Sequence, residues 1–120
     1  MITIYVKKCL RPFIKDIATS KIRLGIGNLG NKGSCAIRFQ YKDTTMAFCS
    51  NHLESGQGAD LDVQRRQQME KIIKTAFINE RGINMGQYNW QSHDIKLMLG
   101  DMNFRYSELV EEEKLTKLIE

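Results

Sequence analysis

The feature that most constrains the fold is a short apolar run at residues 95–99, which ends in Gly-Asp-Met-Asn-Phe-Arg at residues 100–105. An apolar run of this length, closed by a glycine, predicts a buried strand. Gly100 lets the backbone turn and approach a ligand, while Asp101 and Asn103 can lean to the same side. Three groups of this motif together suit phosphoester hydrolysis. They are a carboxylate that activates water, a carboxamide that holds phosphate or a hydrated metal ion, and the guanidinium group of Arg105. Asp and Asn are also ordinary turn residues, so the motif alone leaves both interpretations open.

Composition indicates one small folded domain. The chain has 120 residues, 42% of them hydrophobic, and a single proline, which argues against a disordered polypeptide. No apolar run approaches the ~20 residues that a transmembrane helix needs. The three cysteines include no Cys-x-x-Cys pair, a usage typical of a reducing compartment. We therefore expect a cytoplasmic protein without a transmembrane segment.

Charge is distributed unevenly along the chain. Residues 1–42 hold nine of the 18 basic residues but only one of the 14 acidic ones. A surface biased in this way attracts polyanions such as nucleic acid, anionic lipid head groups or inositol phosphates. A solvated basic face without a specific partner is an equally compatible interpretation.

Hydrophobic periodicity predicts an α/β fold with helices on the faces of a mixed sheet. The predicted strands lie at residues 2–6, 21–24, 34–41, 44–50 and 95–99, with 34–50 forming a hairpin. Helices are predicted from Pro12, at 60–79 and at 108–119. The long middle helix carries an apolar stripe at Met69, Ile72, Ile73, Ala76 and Phe77. Residues 25–33 are predicted as a glycine-rich loop and 80–94 as a polar surface loop that includes His93.

Two further loops carry candidate residues. Asn51 and His52 follow the returning strand of the hairpin, where an imidazole can bind a phosphoryl oxygen or hold a proton. Lys32 lies in the glycine-rich loop, whose backbone N–H groups and ammonium could hold phosphate. The spacing of that loop excludes a P-loop and a dinucleotide fingerprint. Each loop alone is also explained as an ordinary turn.

Taken together, the motifs resemble a known family. Gly-Asn-Lys-Gly-Ser at 30–34, Asn-His-Leu at 51–53, Arg65-Arg66 and Gly-Asp-Met-Asn-Phe-Arg at 100–105 occur in the order found in the inositol polyphosphate 5-phosphatases. That resemblance implies a two-sheet α/β sandwich of the endonuclease/exonuclease/phosphatase type and Mg²⁺-dependent removal of a 5-phosphate from phosphoinositides or inositol polyphosphates. It also implies peripheral contact with anionic membranes and no nucleic-acid partner.

The resemblance also implies residue roles. Asp101 would orient and activate the attacking water, Asn103 would hold the scissile phosphate and the hydrated metal, and His52 would contact the scissile phosphoryl group. Lys32, Asn51 and Arg105 would bind substrate phosphate. Arg65 and Arg66 are expected to be packing or ion-pair residues.

Some elements of the family pattern have no counterpart in this sequence: the main metal-binding Glu, the Trp-Cys-Asp-Arg motif and the later Asp-His pair. We therefore expect residues 1–120 to be the interior of a catalytic domain, inactive or weakly active alone. Two alternatives remain open at this point. One is a non-catalytic phosphoinositide-binding fragment, and the other is a nuclease-like phosphodiesterase of the same superfamily.

Overall fold

The computed structural model describes residues 1–25, 31–78 and 88–105. In chain order it contains a 3-10 helix (Lys8–Phe13), strands β1 (Ile14–Leu24), β2 (Lys32–Tyr41) and β3 (Thr44–His52), helix α1 (Ala59–Thr75), a 3-10 turn (Trp90–Ser92) and strand β4 (Ile95–Asp101). The predicted helix at 108–119 and the middle of the glycine-rich loop, 26–30, lie outside the described residues. Within those residues, no helix has the length and apolar character needed to cross a membrane.

The four strands form one sheet in the order β1-β2-β3-β4. The first three strands pair antiparallel, and β4 joins β3 in parallel. The predicted hairpin is confirmed, because Tyr41 pairs with Thr44 across a two-residue turn. Lys42 in that turn has a φ of +51°, the left-handed conformation that short hairpin turns require. The parallel return of β4 needs a long crossover, and α1 lies in that crossover.

One face of the sheet packs against α1 and carries the core. The predicted apolar stripe is buried, since Ile72, Ala76 and Phe77 are buried and Met69 and Ile73 pack against them. The helix predicted at 60–79 nevertheless ends at Thr75, so Ala76 and Phe77 pack from the segment that follows it. Alternate residues of the strands project toward this face because side chains of a strand alternate between its two sides. The other buried hydrophobic residues are Ile22, Leu24, Ala36, Ala47, Cys49, Leu53 and Trp90.

The opposite face, called here the open face, changes from apolar to polar along the strands. Its cross-strand rows are Thr19-Ile37-Phe48-Leu97, then Lys21-Cys35-Ser50-Leu99, then Arg23-Gly33-His52-Asp101. Leu97 and Leu99 are 45% and 44% exposed. The strand predicted at 95–99 is therefore present, but its predicted burial is wrong. The side chains of this strand on the open face are not covered by any of the described residues.

Two predictions near residue 12 are wrong. Residues 2–6 form no strand, and Tyr5 is 93% exposed. The short helix begins at Lys8, contains Pro12 and ends at Phe13, instead of beginning at the proline. Ile14 already pairs with Tyr41 in the sheet. The chain therefore forms sheet hydrogen bonds at the position where the helical spacing predicted a further helical turn.

The predicted surface loop at 80–94 is described at 88–94, where residues 89, 91, 92 and 94 are exposed as predicted, but the surface position predicted for His93 is wrong. Trp90 and His93 are buried, and His93 Nε2 accepts a hydrogen bond of 2.8 Å from Arg38 Nε. Burial lowers the pKa of His93, which favours the neutral ring that this bond requires. A buried arginine donates to a buried histidine here, and their polar character concealed their burial in the sequence.

Candidate functional site

The strand register brings the central candidate residues into one row. His52 ends β3 and pairs with Gly33 on one side and with Asp101 on the other. Residues directly opposite one another in adjacent strands project to the same face. His52 and Asp101 therefore lie side by side at the polar end of the open face, as their positions after neighbouring strands suggested.

His52 lies between a cation and a carboxylate. Lys32 Nζ is 3.0 Å from His52 Nε2, and Asp101 Oδ2 is 4.0 Å from the same nitrogen. An ammonium group has donors only, so Lys32 donates, Nε2 accepts and Nδ1 carries the ring proton. The side chains of His52 and Asp101 are 52% and 64% exposed, so both can reach a ligand. Lys32 itself is buried in the first position of β2 and not in the predicted loop.

Gly100 is needed for β3 and β4 to meet beside this row. Its φ is +109°, and a Cβ atom at this position would lie 2.2 Å from the carbonyl oxygen of Asn51. No L side chain fits such an approach without separating the strands. The close approach that the sequence suggested for Gly100 is thus to the neighbouring strand.

The turn after β4 is held by Asp101 and Asn103. The Asn103 amide N–H donates to Asp101 Oδ1 at 3.1 Å, and Asn103 Nδ2 donates to the Leu53 carbonyl at 3.0 Å. Asn103 adopts a φ of +53°, a conformation that asparagine tolerates well. Arg105 Nη2 lies 3.4 Å from Asn103 Oδ1. One N–H and one lone pair of the Asn103 carboxamide remain for a ligand.

Asn51 is not brought into this cluster. It projects to the covered face, is 3% exposed, and donates from Nδ2 to the Leu99 carbonyl at 3.3 Å. Its Oδ1 accepts from Cys49 Sγ at 3.1 Å. Burial raises the pKa of Cys49, so this thiol is suited to a structural role. Asn51 joins β3 to β4, and its predicted contact with phosphate stays a prediction.

Arg65 supports the loop that follows His52. It is fully buried, forms an ion pair with Asp62, and donates from Nη1 to the carbonyls of Glu54 and Gly56 at 3.0 and 3.1 Å. Its guanidinium also lies 5.9 Å from the centroid of the Phe104 ring. The packing and ion-pair role predicted for Arg65 is what the structure shows, and it reaches both loops of the site. Arg66 is exposed.

The donor set for a metal ion consists of oxygens. Asp101 and Asn103 offer a carboxylate and a carboxamide, the hard ligands that Mg²⁺ prefers. Across residues 1–25, 31–78 and 88–105, no three side chains of His, Cys, Asp or Glu come together as a metal cage. Magnesium commonly retains waters and binds one or two carboxylates plus substrate phosphates. The residues present fit an ion completed by substrate and water.

The fold and the row define a mixed α/β domain in which an imidazole and a carboxylate are paired at the ends of two neighbouring strands, and a lysine ammonium lies 3.0 Å from the imidazole. The sequence matches endonuclease/exonuclease/phosphatase family 2 over residues 1–120, and the chain belongs to this family.

Within the family, the chain is similar to inositol polyphosphate 5-phosphatases. It is 37% identical over 123 residues to type IV inositol polyphosphate 5-phosphatase 9 of Arabidopsis thaliana, covering 100% of this chain and 28% of that protein. It is 34% identical over 110 residues to human synaptojanin-2, covering 91% of this chain and 7% of that protein. The resemblance inferred from the motifs is confirmed.

A solved structure confirms the fold class. The inositol polyphosphate 5-phosphatase domain of SpSynaptojanin, crystallised with inositol (1,4)-bisphosphate and a calcium ion, matches with a TM-score of 0.69 and 29% identity. The match covers 93% of this chain and 31% of that chain. The chain thus spans less than a third of the length of each of these three proteins.

Proposed function

We propose that residues 1–120 form an interior part of an inositol polyphosphate 5-phosphatase catalytic domain, which removes the 5-phosphate from phosphoinositides or soluble inositol polyphosphates. The observation that carries the proposal is the pairing of His52 with Asp101 at the ends of two adjacent strands, with the Lys32 ammonium 3.0 Å from the His52 ring. The names of the relatives and the inositol bisphosphate bound to the solved relative support the choice of substrate class. The basic residues of 1–42 support a cytoplasmic protein that touches anionic membranes peripherally.

In this proposal each side chain of the site has a separate task. Asp101 orients and activates the attacking water, because the Asn103 N–H fixes one carboxylate oxygen at 3.1 Å and leaves the other free. Lys32 and His52 donate to the phosphoryl oxygens, which gain negative charge as phosphorus becomes pentavalent. Asn103 and Arg105 bind further phosphate oxygens. Mg²⁺ bound beside Asp101 and Asn103 would supply additional positive charge and a more acidic water.

The isolated chain is proposed to turn over slowly. Only one carboxylate, that of Asp101, lies within 4.0 Å of a basic group of the row among the described residues. A second anchor for the metal would therefore have to come from outside the described residues.

The test measures phosphate released from a 5-phosphorylated phosphoinositide by the purified chain with Mg²⁺. We expect slow release that Asp101→Asn lowers by at least about 100-fold, the usual scale for loss of a general base. Asp43→Asn is the matched control, since Asp43 lies in the hairpin turn at the other end of β3. It should leave release unchanged.

Three outcomes would contradict parts of the proposal. Rapid turnover that Asp101→Asn abolishes would refute the slow-turnover part. Nicking of duplex DNA faster than phosphate release would favour a nuclease-like phosphodiesterase. Head-group binding that needs no Mg²⁺, survives Asp101→Asn and is never followed by hydrolysis would favour a non-catalytic binding fragment.

A further inference from the structure

A polar cavity of about 220 Å³ lies beside the row, where β1 ends, β2 begins and β3 ends. Its lining includes four basic side chains, Lys21, Arg23, Lys32 and His52, and none of the described residues that line it is acidic. The site as proposed above uses Lys32 and His52. It gives no task to Lys21 or Arg23.

The register aims these two residues at the same side as His52. Lys21 pairs with Cys35 and Arg23 with Gly33, and Gly33 in turn pairs with His52. Their neighbours Ile22 and Leu24 are buried on the covered face, so Lys21 and Arg23 must project from the open face. Gly33 carries no side chain, which leaves the space between Arg23 and His52 clear.

Neither side chain is neutralised by a described residue. Lys21 and Arg23 form no side-chain hydrogen bond or ion pair with any residue of 1–25, 31–78 or 88–105. By contrast, Arg65 has Asp62 and Lys74 has Glu70. Two like charges on the same face of a strand repel one another, and this repulsion is relieved when an anion lies between them.

We propose that Lys21 and Arg23 bind a second phosphate group of the substrate, separate from the phosphate that is cleaved. The inference rests on the proposed function for the position of the first phosphate. Arg23 and His52 lie two strands apart, roughly 10 Å between backbones at about 4.8 Å per strand. A single ring with two phosphate groups can bridge such a span. The cavity of about 220 Å³ is lined by both pairs of basic residues, so it adjoins both proposed phosphate positions.

The test is isothermal titration calorimetry of the chain with an inositol monophosphate and with an inositol bisphosphate. Lys21→Gln combined with Arg23→Gln should weaken bisphosphate binding about tenfold, which corresponds to about 1.4 kcal/mol. It should affect the monophosphate no more than the control pair does. The control is Lys8→Gln combined with Lys15→Gln, which removes the same charge from two exposed lysines outside the cavity.

The outcomes separate this inference from the proposed function. Equal bisphosphate affinity in the wild type and the Lys21/Arg23 double variant, an equal loss in the control pair, or no binding of bisphosphate by the wild type would overturn the inference. If His52→Gln leaves monophosphate binding intact, the proposed function fails instead.

The same variants distinguish a lipid head group from a soluble inositol phosphate. Vesicles of phosphatidylcholine with a bisphosphorylated phosphoinositide are compared with vesicles that hold phosphatidylserine of equal total charge. Loss of binding confined to the phosphoinositide vesicles identifies the head group as a source. Loss seen only in calorimetry with the soluble compound identifies the free inositol phosphate, and both results support a phosphate site at Lys21 and Arg23. Equal losses on both kinds of vesicle would show attraction to any anionic surface and overturn the inference.

Discussion

Gly100 offers the sharpest test of how the site is assembled. Replacing Gly100 by alanine forces an L residue into a φ of +109° and places its Cβ 2.2 Å from the Asn51 carbonyl oxygen and 2.7 Å from the Asn51 nitrogen. Ordinary van der Waals contact begins near about 3.5 Å. The obstructing atoms belong to the backbone of β3, so no side-chain rotation can make room, and the two strands must separate.

The magnitude follows from what separation breaks. The bond from the Leu53 N–H to the Asp101 carbonyl, 3.0 Å, and the bond from Asn51 Nδ2 to the Leu99 carbonyl, 3.3 Å, both join the strands at this point. Each is worth about 1 kcal/mol net, and the backbone strain adds about 1–3 kcal/mol. We expect Gly100→Ala to lower the free energy of unfolding by roughly 3–5 kcal/mol.

Gly58→Ala is the matched control. Gly58 has a similar φ of +119°, but a Cβ there would meet nothing within 4 Å. It should therefore show the backbone strain alone. Urea unfolding followed by circular dichroism measures both variants, and Gly100→Ala should cost about 2 kcal/mol more than Gly58→Ala. Equal losses would refute the argument that close contact between β3 and β4 requires glycine at position 100.

Two other residues give further predictions. Arg65→Lys keeps the charge but loses the guanidinium group that binds the Glu54 and Gly56 carbonyls. We therefore expect it to lower the free energy of unfolding in urea by about 2 kcal/mol. Arg66→Lys, at an exposed residue, should change that free energy by almost nothing, and equal losses in the two variants would refute the role assigned to Arg65. Burial lowers the pKa of His93, so the unfolded chain binds the proton more readily, and stability should fall as the pH drops through about 6.5, the ordinary value of the unfolded side chain. Urea midpoints between about pH 7.5 and pH 5 should therefore decline less for His93→Gln than for the wild type, and parallel declines would contradict this.

The sequence predicted the elements that have strong local signals and failed where burial depends on distant partners. Met69, Ile72 and Ile73 repeat at helical spacing, so the covered face of α1 could be predicted from sequence, although its end at Thr75 could not. His93 carries no such signal, because its burial depends on Arg38, which lies 55 residues away. The apolar strand at 95–99 was predicted to be buried and is exposed on the open face, since composition alone does not show which of its faces is covered.

The position of His52 opposite Gly33 was within reach of the sequence, whereas the contact between His52 and Asp101 was not. Once a two-residue turn is placed at 42–43, pairing outward from Tyr41 and Thr44 puts Gly33 opposite His52, as the structure shows. A slip of one residue would send His52 to the covered face, so this short turn fixes which side of the sheet carries the imidazole. No such count fixes β4, because α1 and residues 76–94 separate it from β3. Its register is set by the approach of Gly100 to Asn51, and moving that contact by one residue would take Asp101 away from His52.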